Sequence, residues 1–216
     1  MNRIKRIECA AALGLVLALL CSFASYFFAC GQLRRDVVRL HVLAHSDAAA
    51  DQAVKLRVRD ALLESGSALF SGAATPETAA AILESQRAGL EQTANRVLAG
   101  AGMPYRARLT LTREFFTTRS YGAITLPAGR YLAVRVILGD GAGQNWWCVM
   151  FPPLCLPAAS ESRTAERMFT PSENAVLHAD ETVEIRLKVV ELFETWKEKV
   201  RKQYARTSEL PVEQKH

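Results

Sequence analysis

Tyr105-Arg106-Ala107-Arg108-Leu109-Thr110-Leu111-Thr112-Arg113, YRARLTLTR, is where the hydrophobic pattern of this chain changes its period. In an extended backbone Tyr105, Ala107, Leu109 and Leu111 face one way, and Arg106, Arg108, Thr110 and Thr112 the other. A half-buried strand satisfies that alternation and a helix scatters it. Upstream the spacing is helical. From Asp51 to Phe70 the residues Val54, Val58, Ala61, Leu62 and Leu69 share a face, with Lys55, Arg59 and Asp60 elsewhere, until Ser71-Gly72 breaks the run. Thr75-Pro76-Glu77 opens a second helix with a capping Thr, Pro at the first position and an acid in the first turn. Ala79, Ile82, Leu83, Leu90, Val97 and Leu98 line its apolar side, and Gly100-Ala101-Gly102 stops it. Before both helices, Val37 to Ala44 is rich in β-branched and apolar residues and reads as a strand, ended by His45-Ser46-Asp47.

Downstream, Ile124 to Arg130 carries turn chemistry in its middle, and Tyr131 to Leu138 is a strand dense in Val, Ile and Leu. Gly139-Asp140-Gly141-Ala142-Gly143 reads as a hairpin turn, with Trp146 to Phe151 running back beside Tyr131–Leu138, because antiparallel neighbours accept so short a link. A phosphate cradle at these glycines would require a helix to follow, and an aromatic, β-branched run follows instead. Leu156 to Pro171 is polar and reads as a surface loop. Asp180 to Tyr204 is an amphipathic helix whose stripe is Ile185, Val189, Leu192, Phe193, Trp196 and Val200, opposed by Glu191, Glu194, Lys197 and Lys199. The expected fold class is α+β: a largely antiparallel sheet packed with two N-terminal helices and one long C-terminal amphipathic helix. Residues 31–205 form the single domain and 206–216 a polar tail.

The N-terminus carries a different signal. A basic start, with Arg3, Lys5 and Arg6, precedes an uncharged run from Cys9 to Cys30. As a helix that run is about 33 Å long, enough to cross a bilayer. Residues 1–30 are therefore a signal peptide or a membrane anchor. Ser22-Phe23-Ala24 offers small residues at signal-peptidase spacing, whereas the length suits an anchor. Either way the body lies outside the cytoplasm. With 27 basic and 22 acidic residues among 216, and three basic ones in the leader, the balance does not argue for nucleic acid as a partner. An apolar fraction of 50% excludes wholesale disorder.

Gly143 to Cys155, GQNWWCVMFPPLC, concentrates two of three tryptophans and the two cysteines outside the leader. In an oxidising compartment Cys148 and Cys155 form a disulfide across a turn at Pro152-Pro153, or else pack as two buried thiols. Cys148 as a nucleophile needs His41, His45 or His178 beside it in space. His41 and His45, with Asp47, have too few companions for a metal site, so no metal and no cofactor is expected. No G-x-S-x-G or H-E-x-x-H sequence occurs. Trp146 and Trp147 must point to opposite faces of a strand. One enters the core; the other is an anchor for a partner or the second face of a buried strand.

Arg39-Leu40-His41-Val42-Leu43-Ala44-His45-Ser46-Asp47, Leu126-Pro127-Ala128-Gly129-Arg130-Tyr131, the block from Gly143 to Cys155, and Val183 to Glu191 together resemble the stage II sporulation protein R family of endospore formers, over about Val37 to Trp196. His45 departs from the Asn expected there, which weighs against an essential role for it. The resemblance implies an exported signalling protein and not an enzyme. It is made in the forespore and crosses into the space between the two membranes, secreted or anchored by residues 7–30. There it activates a membrane-embedded aspartic protease of the mother cell, at its outer face, which processes the precursor of sigma factor E. No catalytic residue and no cofactor carries over. Asn145, Trp146, Trp147, Phe151, Pro152 and Pro153 are the expected partner contacts. The alternatives are a secreted cell-wall hydrolase using carboxylates that no motif singles out, and a membrane-anchored structural adaptor.

Overall fold

The computed structural model describes residues 3–70, 75–121, 124–152, 169–178 and 181–208. Pro153, Cys155 and most of the expected Leu156–Pro171 loop lie outside the described residues, as does the polar tail beyond residue 208. The elements are α1 (Arg3–Asp36), β1 (Val38–Leu43), α2 (Ala49–Phe70), α3 (Pro76–Gly100), β2 (Ala107–Phe116), β3 (Arg119–Tyr121), β4 (Ile124–Leu126), β5 (Gly129–Leu138), β6 (Asn145–Phe151), α4 (Pro171–Leu177) and α5 (Glu181–Ser208). The class is mixed α+β, with five helices among the described residues and a mostly antiparallel sheet.

The main sheet has the order β2-β5-β1-β6, and β3 and β4 form a separate antiparallel pair. β2 pairs antiparallel with β5 from Ala107–Leu138 to Phe116–Gly129, so the alternation of YRARLTLTR is read out as a strand. The expected β5–β6 hairpin does not form. β1 lies between them, parallel to β5 and antiparallel to β6. The reason is visible in β1 itself. Its residues Val38 to Val42 are all buried, and a strand buried on both faces belongs in the middle of a sheet. The link after β5 has only to step over one strand, about 10 Å at two interstrand spacings. It crosses the end of β1, where Ala142 N–H donates to His45 O at 3.1 Å and Gly143 N–H to Ala44 O at 3.0 Å. The crossing is close: a Cβ on Gly143 would stand 2.2 Å from the Ser46 carbonyl oxygen. Gly139, at φ +55, makes the turn that starts it.

Two cores flank the sheet. On one face Leu40, Val42, Leu109, Val134, Val136 and Met150 meet Val58 and Leu62 of α2 and Leu83, Leu90 and Leu98 of α3. Each such side chain contributes about 1.5–3 kcal/mol on burial. α3 starts as expected, with Thr75 as N-cap in a reciprocal box with Thr78 and Pro76 just inside. On the other face Tyr131, Ala133, Val149 and Phe116 meet Cys30 and Leu33 of α1, Val176 of α4, and Leu187 and Val190 of α5. α4 was not anticipated, although Thr170-Pro171-Ser172-Glu173 is a capping box with Pro at the first position. Glu173 of that box also faces Asp36 at the end of α1. Burial first, and then the Glu173 carboxyl, pushes Asp36 from 3.8 up to about 6.

Two helices behave differently from their sequence patterns. α1 is continuous through residue 30: residues 6–25 are exposed without interruption, and from Tyr26 onward Ala29, Cys30 and Leu33 pack into the domain. α5 buries Leu187, Val190 and Glu194, whereas Val189, Leu192, Phe193 and Trp196 of its expected inward stripe are exposed. The side chain of Ile185 lies outside the described residues.

Candidate functional site

The register of β1 against β6 places His41 opposite Trp147, Val42 opposite Trp146, Leu43 opposite Asn145 and Leu40 opposite Cys148. The two tryptophans point to opposite faces, as adjacent strand residues must. Trp147 goes inward. It stacks on His41 with centroids 3.6 Å apart, meets Phe116 edge-on at 4.9 Å, and packs on the α1/α5 core. Trp146 stays 36% exposed on the α2 side, under the Arg59 guanidinium, whose carbon lies 4.4 Å from the ring centroid. Asn145 is exposed beside it.

Behind this ribbon is a polar relay that sequence reading missed. His41 Nδ1 lies 2.7 Å from Glu114 Oε2 and donates to it, and Arg135 Nε sits 3.3 Å from Glu114 Oε1. His41 Nε2 lies 3.0 Å from the Asn145 amide. Both ring nitrogens are thus engaged and one ring face is covered by Trp147, so His41 holds Asn145 and Trp147 in place. Nothing local in the sequence marks Glu114 as its partner, because the two are far apart in the chain and meet only through the β1–β5–β2 order.

Two residues earlier in β1, Arg39 is fully buried on the same face. Its guanidinium carbon lies 4.3 Å from the Phe116 centroid, 5.1 Å from Tyr131 and 5.4 Å from Tyr121. It donates to the Cys148 carbonyl at 3.1 Å and to the Tyr121 hydroxyl at 2.5 Å. Burial lowers its pKa, and three ring faces take the place of a carboxylate. The Cys148 carbonyl ties this cation to the middle of β6.

The remaining residues singled out by sequence fall as follows. Phe151 is buried and packs edge-on against Phe70 at 5.2 Å, and Pro152 is buried after a cis peptide bond. Phe151 thereby holds the end of β6 against α2. Cys148 is buried and disulfide-bonded, so it presents no thiol to His41, His45 or His178. Cys155 lies outside the described residues. His45 is stacked on Tyr105 at 4.4 Å and accepts from Asp140 N–H at 3.0 Å, while Asp47 accepts from Gln144 N–H at 2.7 Å. His41 and His45 therefore serve separate networks, and the described residues hold no group of three His, Cys, Asp or Glu able to bind a metal. Asp51 accepts from Ser46 and Tyr105 hydroxyls, both at 2.5 Å, and these bonds, Ser46 first, hold its carboxyl below the usual range. This second network braces the crossing loop that leads into Asn145.

A family model described as Stage II sporulation protein R matches residues 34–161. The Stage II sporulation protein R of Bacillus subtilis (strain 168) is 34% identical over 120 residues, which cover 56% of this chain and 54% of that protein. The chain thus aligns with about half the length of this curated relative. No solved structure matches the chain significantly.

Proposed function

Because the chain belongs to the stage II sporulation protein R family, we propose that it is a sporulation signalling ligand that acts by docking and breaks no bond itself. In this reading it is exported from the forespore and activates the membrane-embedded aspartic protease of the mother cell that processes the sigma-E precursor. Activation requires only that it bind the active protease more tightly than the inactive one. The observation that carries the reading is the exposed start of β6. Trp146 stands exposed on the α2 side and Asn145 beside it on the opposite face, where His41 holds it, on a strand fastened by His41, Glu114 and Arg39 inside the family-matched segment. A large rigid aromatic held this way makes a binding anchor at small entropic cost. Since Phe151 and Pro152 are buried, the proposed contacts centre on Asn145 and Trp146, with Trp147 shaping them from inside.

We assign Cys155 as the disulfide partner of Cys148, a bond that closes the turn after β6 in an oxidising compartment. Peptide mapping without reductant must recover the two cysteines in one cross-linked fragment; separate alkylated peptides would break the assignment. The function is tested by co-expressing the chain with the candidate protease and its precursor substrate. Processing must depend on this chain and fall sharply with Trp146→Ala at unchanged protein level. Incubation of the purified chain with peptidoglycan addresses the hydrolase alternative, and release of soluble fragments would replace the ligand reading.

A further inference from the structure

The exposed segment of α1, residues 6–25, is about 30 Å of helix, the thickness of a bilayer hydrocarbon core. The packed segment starts directly after it, and α5 is fixed at that level. Phe27 meets Phe193 edge-on at 5.6 Å, and Arg34 Nη1 lies 3.1 Å from Glu194 Oε1. Around this junction Phe28, Leu192 and Trp196 are 64%, 72% and 59% exposed. Beside them a cleft of about 580 Å³ opens between α1, α5 and the ends of β2 and β5. Arg34, Arg35, Arg113, Arg130, Lys197 and Arg201 line it. Its two carboxylates are already taken: Glu194 by Arg34 and Lys197, each at 3.1 Å, and Glu198 by Arg130 at 2.9 Å. Among the described residues Arg113 and Arg201 have no carboxylate within ion-pair distance. The cleft therefore has an excess of cations, Trp196 in its lining with Phe28 and Leu192 nearby on the same two helices, and a place about two to three helical turns beyond a membrane-length run.

We propose that this cleft seats the phosphate headgroup of an anionic phospholipid from the membrane that α1 enters. Basic pockets beside a membrane helix recognise such headgroups, and aromatic side chains settle at the same depth. A free phosphate would match the cations but would leave Phe28, Leu192 and Trp196 uncovered; a lipid covers both. The inference rests on α1 staying attached to the domain and not on the protease reading.

The full chain, purified in mild detergent, is titrated with phosphatidylglycerol or phosphatidylcholine and followed by native mass spectrometry. Phosphatidylglycerol is expected to bind about tenfold tighter or more. Arg201→Gln, an exposed position, weakens it roughly fivefold, and Arg113→Gln with Arg201→Gln about 25-fold, at close to 1 kcal/mol per cation. Arg87→Gln, exposed on α3, leaves it unchanged. Equal affinity for the two lipids, or no loss in Arg201→Gln, overturns the proposal. Displacement of the lipid by equimolar inorganic phosphate assigns the cleft to a free anion instead, and tighter capture of a polyglutamate peptide than of lipid assigns it to an acidic protein. Reconstitution of the same chain into phosphatidylcholine nanodiscs reads α1 alone, and failure there removes the premise.

Discussion

Trp147 lies flat against His41, ring centroids 3.6 Å apart and planes 17° from parallel, while its neighbour Trp146 sits on the opposite face under Arg59. One dipeptide thus does two jobs: its second residue fastens β6 to the core and its first remains available.

The two tryptophans are therefore expected to separate in experiment. Trp147→Ala removes stacking on His41 and the edge contact to Phe116, and should cost about 2–4 kcal/mol in urea unfolding. Trp146→Ala loses an exposed ring and one cation–π contact, about 1 kcal/mol or less, yet it should abolish most precursor processing. A folded Trp146→Ala protein that signals normally places the contact surface elsewhere.

Arg39 sits among three aromatic rings with no carboxylate partner among the described residues. Arg39→Lys keeps the charge but loses the planar stacking and the fork of donors, and should destabilise by about 1–3 kcal/mol. Arg39→Met buries no charge and should cost less than the lysine variant. Denaturation midpoints in the order wild type, methionine, lysine would agree; a lysine variant as stable as wild type would show that the rings contribute nothing specific to Arg.

The crossing loop leaves no room for a side chain at Gly143. Gly143→Ala would press a methyl group to within 2.2 Å of a backbone oxygen. The backbone on both sides must shift, at a cost of about 1–3 kcal/mol. Gly100→Ala, where nothing stands within 4 Å, serves as the control and should change stability little.

Asp36 is raised from 3.8 to about 6, by burial first and then by Glu173. Between those values the folded chain holds a proton that the unfolded chain has released, so stability falls as pH rises through the window from about 4 to about 6 and then levels. Thermal midpoints of Asp36→Asn, measured across that window beside wild type, should lack this component. The same slope in both proteins would remove Asp36 as its source.

Much of the fold was legible because period is a local property. The change from helical to alternating spacing at Tyr105 marks β2, and Thr75-Pro76 marks the start of α3. The place of β1 was legible in principle, since an unbroken apolar run asks for burial on both faces, but the short glycine-rich link suggested a hairpin that β1 interrupts. α5 misled for a related reason. Amphipathicity shows that a helix has an apolar face and not what covers it, and here Leu192 and Trp196 look outward while Leu187 and Val190 go in. The Trp146/Trp147 division followed from strand geometry alone. His41 and Glu114 did not, because their meeting depends on the order of three strands.

That order also governs when a growing chain can acquire its main sheet. β1 and β2 share no edge, so a nascent polypeptide ending before residue 129 holds two strands of that sheet and nothing to join them. Only the arrival of β5 links them, and only β6 covers the remaining side. Such late, distant pairing raises contact order and slows folding. It also means that no chain halted before the end of β6 can present Trp146 on a completed sheet, so that face is a product of the last strand to be made.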